Sequence, residues 1–331
     1  MKPKDSHGLA PGPAQPFVRG RFEDLPERPR LAHPYLRCPA LDLDLRSRAF
    51  GRMRVHVRRH GSGPPLLLVH GLMTSGYSWR YALAGLGARF TCHVPDLPGN
   101  GRSEPVLGAP YTPAALAGWL GEVQAALGIR GCACVANSMG GYVAMHLALA
   151  DAGAFSRLVN VHSPGLPEPR LYALAAVLSL PGAKALLRRL VARDPARWAH
   201  RNVHYFDETL KSLEEAREYG APLSTDAGRR AFSKYLAETM APRPARAFVA
   251  ALRERRAAGR PFPVPLLLLY AERDPIVPPR IGEALASLIP DARLVRLARA
   301  SHFAHVDAVD RFLPPVLEFL EAGARVPPRP A

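Results

Sequence analysis

Cys134-Val135-Ala136-Asn137-Ser138-Met139-Gly140-Gly141 decides how the rest of this chain is read. A short apolar run beginning at Gly131 leads into it as a buried strand would. A small-residue helix leads out, with Gly140, Ala144 and Ala148 recurring every four residues, a stripe that lets a helix lie close against a sheet. A serine at the tight turn between the two is lifted clear of the sheet, with its hydroxyl at a helix N-terminus. That setting turns an alcohol into a nucleophile. The usual pattern is G-x-S-x-G, and Ala136 stands at its first position. Small-Ser-small runs are common in turns, so the reading depends on what surrounds Ser138.

Upstream, 41–45 and 53–57 alternate apolar and polar residues and predict two half-exposed antiparallel strands. The continuous apolar run 65–69 predicts a buried central strand ending in His70-Gly71-Leu72. A helix is expected near 77–86, a strand at 90–94, a helix over 112–127 and, after the serine, a strand at 158–161. From 164 to 256 only helical patterns occur: 171–180, 183–193, 195–206, 210–219, 226–240 and 243–256. Strand patterning resumes at 265–270 and 293–297, with helices near 281–288 and 309–321. Alternating strands and helices predict an α/β fold, a mostly parallel sheet with helices on both faces. The expected organisation is an irregular proline-rich arm (1–40), a core (41–163 and 257–322), an inserted helical segment (164–256) and a loose tail (323–331).

At 331 residues the chain holds one large domain with an insertion. It has no apolar run of about 18 residues and no hydrophobic leader behind Met1-Lys2-Pro3-Lys4, so no membrane insertion is expected. Cys132 and Cys134 share a face of one strand and read as small core residues; a C-x-C metal site lacks further ligands nearby. This cysteine usage suits a reducing cytoplasm. Net charge is +16, carried almost wholly by arginine, with five lysines. The arginines are dispersed and no nucleic-acid motif accompanies them, so no specific nucleic acid is expected as partner. An anionic surface is a third class of partner, resting on charge alone.

A serine nucleophile needs a base, an orienter for that base and donors for an oxyanion, all at the C-terminal ends of sheet strands. After the last strand, His302 is the candidate base, with His305 three residues on. After 265–270, Asp274 is the candidate orienter, with Glu272 as fallback. Asp274 would accept the Nδ1 proton of His302 and fix its tautomer. The backbone N–H groups of Met139, at a helix start, and of Leu72, after Gly71, are the candidate oxyanion donors. His70 is expected to brace its loop.

His70-Gly71, the run Asp96-Leu97-Pro98-Gly99-Asn100-Gly101-Arg102-Ser103, the elbow at Ser138, Asp274, and His302 with Asp307 five residues on, resemble in this order the α/β-hydrolase superfamily, in its subgroup with a helical cap. The resemblance covers roughly 41–322. It implies that 164–256 roofs the pocket and sets substrate choice. Ala136 and Ser301 depart from the family's usual glycines. Relatives that open epoxides or displace halide carry an aspartate at the elbow, whereas Ser138 suits attack on a carbonyl. The expectation is a serine hydrolase acting through an acyl-enzyme on a carboxylic ester of a small hydrophobic molecule, requiring no metal or organic cofactor. The Asn-Ser-Met-Gly-Gly elbow also resembles hydrolases that cleave carbon–carbon bonds in ring-fission products, although the loop after His-Gly lacks their glycines. A hydrolase-fold protein that binds without turnover is the other alternative.

Overall fold

In the computed structural model of the chain, residues 16–322 are described. Residues 1–15 of the expected arm and the expected tail, 323–331, lie outside them. Eight strands form one sheet: β1 (Ala40–Ser47), β2 (Gly51–His60), β3 (Pro65–Val69), β4 (Thr91–Pro95), β5 (Ala133–Asn137), β6 (Leu158–Val161), β7 (Leu266–Ala271) and β8 (Arg293–Leu297). Their spatial order is β1-β2-β4-β3-β5-β6-β7-β8. The β1–β2 and β2–β4 pairs are antiparallel and every other pair is parallel.

The apolar runs are central strands because both of their faces are covered. Successive side chains divide between two cores, as the pleat requires. Leu67, Val69, Cys134, Ala136, Leu266 and Leu268 enter one core. Leu66, Leu68, Val135, Val159, Leu267 and Leu269 enter the other. On the flanks lie α1 (Ala82–Gly87), α2 (Pro113–Ala126) and α3 (Met139–Ala150). Trp119 of α2 and Val143 of α3 fill the first core; Leu83 and Leu86 of α1 fill the second. All four cysteines are buried free thiols, and Cys132 and Cys134 lie in the same core.

Between β6 and β7 the chain is helical: α4 (Pro169–Ser179), α5 (Ala183–Arg193), α6 (Pro195–Asn202), α7 (Leu213–Gly220), α8 (Asp226–Lys234) and α9 (Pro242–Ala257). After β7 come α10 (Pro279–Leu288), the single turn α11 (Ala304–Asp307) and α12 (Val309–Glu321).

Three helices read as continuous in the sequence are broken by tertiary contacts. The 77–86 segment is a 3₁₀ turn, Gly76–Trp79, followed by α1, and Arg80 turns inward at the break. The 210–219 segment starts only at Leu213, because Ser212 caps α7 through the Glu215 N–H and Lys211 is drawn into bonds with the His200 and Val203 carbonyls. The 226–240 segment leaves α geometry after Lys234 for a π turn, Tyr235–Thr239. There Tyr235 Oη reaches the Pro98 carbonyl, 2.9 Å away, and Thr239 Oγ1 the Tyr111 carbonyl, 2.5 Å away. The 195–206 segment ends at Asn202.

Candidate active site

Five neighbouring strands, β3, β5, β6, β7 and β8, end on one side of the sheet, and each hands the chain to a polar loop. Crevices of open α/β sheets form along that edge. From it come His70-Gly71-Leu72, Ser138, His162, Asp274 and His302.

Ser138 is the hinge between β5 and α3. Its backbone lies at φ 53°, ψ −122°, a conformation that costs a non-glycine residue on the order of 1–3 kcal/mol. Its N–H is anchored to the Val161 carbonyl at 2.7 Å. The glycines beside it are required by close approach: a Cβ at Gly140 would sit 2.4 Å from the His70 carbonyl oxygen, and one at Gly141 would sit 2.4 Å from Asn160 Oδ1. The Gly71 backbone also passes tightly over the elbow, where a Cβ would lie 3.0 Å from Ser138 Cβ. Ala136, fully buried in β5, is accommodated without any glycine at that position.

His302 Nδ1 and Asp274 Oδ2 are 2.7 Å apart, and both residues are buried. The other carboxylate oxygen, Oδ1, accepts the N–H groups of Ile276 at 2.7 Å and Val277 at 2.8 Å, an Asx turn that fixes the carboxylate plane. Burial acts to raise the Asp274 carboxyl, but the His302 imidazole and these donors outweigh it and hold it below the usual carboxylate value. The His302 carbonyl accepts a bond from Asn137 Nδ2 at 3.1 Å, so the residue before the serine steadies the histidine's backbone. Glu272, the fallback orienter, is exposed. His305 stacks on Trp79 with ring centroids 4.3 Å apart, away from the cavity that His302 lines. His70 braces its loop as expected: its Nε2 accepts the Leu97 N–H at 2.9 Å, linking the ends of β3 and β4.

Ser138, His302, Leu72 and Met139 all line one cavity of about 600 Å³. Met139 opens α3, where the first N–H groups have no intrahelical carbonyl to bond. The opposite wall comes from the segment between β6 and β7, through Leu171, Leu174, Leu178, Leu187, Trp198 and Phe232. That wall is mostly apolar, with Glu168, Arg170 and Asn202 as its polar members.

One residue of this edge has no counterpart in the sequence reading. His162 follows β6 at φ 54°. Its ring lies 5.5 Å from that of His302, and its Nε2 accepts the Ala271 N–H at 2.7 Å. Burial drives its pKa down to about 3, so the ring is neutral. Its signal in the sequence was position alone, a histidine at the C-terminal end of a strand between those carrying Ser138 and Asp274. The ligating atoms of His162, Asp274 and His302 lie within 4.8 Å of one another. However, His302 Nδ1, both Asp274 oxygens and His162 Nε2 are already occupied by internal hydrogen bonds. These bonds orient the His302 imidazole, and His162 Nδ1 is buried without a hydrogen-bond partner.

Comparison with known proteins places these features in context. The sequence profile described as "alpha/beta hydrolase fold" matches residues 64–309. The chain is 29% identical over 272 residues to 2-hydroxymuconate semialdehyde hydrolase from Pseudomonas sp. (strain CF600), covering 81% of this chain and 90% of that one. It is 31% identical over 274 residues to haloalkane dehalogenase 2 from Mycobacterium bovis, covering 81% and 91%. It is 29% identical over 273 residues to pimeloyl-[acyl-carrier protein] methyl ester esterase from Aeromonas hydrophila, covering 81% and 100%.

Proposed function

Because the chain belongs to the alpha/beta hydrolase fold family, we propose that it is a serine hydrolase that cleaves a carboxylic ester of a small hydrophobic molecule through an acyl-enzyme. The observation that carries this reading is the convergence of a strained serine and a carboxylate-bound histidine on the floor of one apolar cavity.

In this reading Ser138 Oγ attacks the ester carbonyl carbon while His302 Nε2 takes the hydroxyl proton. The carbonyl electron pair moves onto oxygen, which the Leu72 and Met139 N–H groups stabilise. Collapse of that intermediate breaks the bond to the alcohol, which leaves with the proton from His302. Water, deprotonated by the same nitrogen, then attacks the acyl carbon; the acid departs and Ser138 regains its proton. Asp274 holds the Nδ1–H tautomer and stabilises the imidazolium at both stages. The helical segment 164–256 acts as a cap, and its leucines favour a neutral, apolar substrate.

The similarity to a 2-hydroxymuconate semialdehyde hydrolase supports carbon–carbon bond hydrolysis as a second reading. Similarity to a haloalkane dehalogenase carries less weight, since displacement of halide calls for an elbow carboxylate and Ser138 offers a hydroxyl.

The test is a panel of p-nitrophenyl esters of graded chain length with a ring-fission dienone included, run on the wild type and Ser138→Ala. Ester turnover that vanishes in a folded Ser138→Ala protein, together with fluorophosphonate labelling of Ser138, is the expected result. Turnover of the dienone alone would select the second reading. Unchanged ester turnover in the variant would overturn the assignment.

A further inference from the structure

The hairpin of α4 and α5 carries an exposed apolar face that the proposed chemistry does not use. Tyr172, Val177, Leu180, Leu186 and Leu190 each leave 40–60% of their surface open. On α4 the exposed residues Tyr172, Ala173, Ala176 and Val177 follow helical spacing along one face, and the exposed Leu180 caps its C-terminal end. Leu171, Leu174 and Leu178 of the same helix line the cavity. The helix is thus apolar toward solvent as well as toward the protein, which a helix of a purely water-facing wall is not.

Charge separates this face from an ordinary apolar patch. Between Pro169 and Arg193 there are five bases, Arg170, Lys184, Arg188, Arg189 and Arg193, and no acid. Lys184, Arg189 and Arg193 are exposed beside Leu186 and Leu190 on α5. Val177, Leu186 and Leu190 are exposed and also line the cavity, so the patch is continuous with the cavity lining, which Arg170 joins as well. Among the described residues no single helix is long and apolar enough to cross a membrane; α4 and α5 reach that length and hydropathy only together, and they are bent by 99°. Apolar side chains with flanking cations on a bent pair suit a surface that lies in a lipid interface rather than one that spans it.

We propose that the α4–α5 hairpin docks the protein peripherally on an anionic phospholipid membrane, with the cavity mouth against the bilayer. A second copy of the chain fits the patch poorly, since a two-fold contact would set the same five bases against one another with no acid among them. A lipid surface covers both components at once: the leucines enter the acyl boundary, and the arginines meet lipid phosphates. Docking rests on the hairpin alone; delivery of an apolar substrate from the bilayer rests in addition on the hydrolase reading.

Co-sedimentation of the full chain with vesicles tests it, using equimolar phosphatidylglycerol and phosphatidylcholine against phosphatidylcholine alone. Wild type and Ser138→Ala should bind the anionic vesicles equally, and the neutral ones at least about tenfold more weakly. Leu180→Asp, and separately Arg189→Glu with Arg193→Glu, lie outside the cavity lining. Each should cut vesicle binding about tenfold or more while turnover of a soluble short ester is kept. Binding that ignores lipid charge, vesicle binding retained by Leu180→Asp, or no binding by the folded wild type would each overturn the proposal. So would a concentration-dependent dimer that Leu180→Asp dissociates, which would make the patch a self-interface. Equal binding by Ser138→Ala keeps this outcome independent of whether Ser138 is a nucleophile.

Discussion

The Phe206 backbone N–H donates to the Asp307 carboxylate at 2.6 Å, and through that bond the helical insertion is tied to the loop that carries His302. The second carboxylate oxygen accepts the Ser301 N–H at 3.3 Å, one residue before the histidine. Asp307 therefore sets the His302 loop against the insertion without facing the cavity itself.

This junction makes stability depend on pH. Burial pushes the Asp307 carboxyl up to about 7 from an ordinary value of 3.8. Between those values the folded protein holds a proton that the unfolded chain has released. The contribution of this group is full below 3.8 and is lost as pH rises through about 7, at up to about 1.4 kcal/mol per pH unit. Asp307→Asn cannot titrate. Its deficit relative to wild type should shrink between pH 5 and pH 8 in urea denaturation; parallel curves across that range would remove the argument.

Asp274→Asn should leave the fold intact, because an amide oxygen can still accept the Ile276 and Val277 N–H groups. It presents the wrong partner to His302 Nδ1 and loses the charge that stabilises the imidazolium. Ester turnover should fall by about 10³–10⁴-fold in kcat, with KM little changed and the melting temperature held. A normal kcat would shift the orienting role away from Asp274.

The parts of this site legible in the sequence are those whose signal is local. Ser138 and Asp274 each follow an apolar run and His302 follows the last strand pattern, Arg293–Leu297, and the end of a parallel strand is where a polar residue can face a crevice. The cores follow from the same runs, since Leu66 and Leu67 must point to opposite faces once both faces are covered. What stayed hidden depends on contacts distant in the chain. His162 follows a strand of only four residues, and the positive φ that turns its ring toward His302 leaves no mark on composition. The π turn at Tyr235–Thr239 reads as ordinary helix because its causes, the carbonyls of Pro98 and Tyr111, lie more than a hundred residues away. The apolar outer face of α4 stayed hidden as well, because hydrophobicity alone does not say which side of a helix meets water.

Gly140→Ala should be destabilising although alanine is the better helix former. The added methyl group would meet the His70 carbonyl at 2.4 Å, a backbone atom on a loop that is itself pinned to Leu97. Overpacking of this kind costs about 1–3 kcal/mol, and for a chain of this size it should lower the melting temperature by several degrees. Turnover should drop with it, since the carbonyl that must move belongs to the loop carrying Leu72. A melting temperature equal to or above wild type would show that α3 and the loop can separate freely.

Arg80 and Glu215 join the core to α7 of the insertion through a buried ion pair. The Arg80 guanidinium also donates to Tyr219 Oη at 3.3 Å and lies over the rings of Tyr77 and Tyr81; Tyr205 Oη donates to Glu215 at 2.8 Å. Removing one partner leaves a buried charge without its counter-ion, so Arg80→Met should cost about 3–5 kcal/mol. Replacing both with apolar side chains removes the stranded charge. The double variant Arg80→Met with Glu215→Leu should therefore be less destabilised than the sum of the two single changes, with a coupling of about 1 kcal/mol or more. Additivity within about 0.5 kcal/mol in denaturant titrations would mean that packing of the four tyrosines, and not the ion pair, holds this half of the insertion to the sheet.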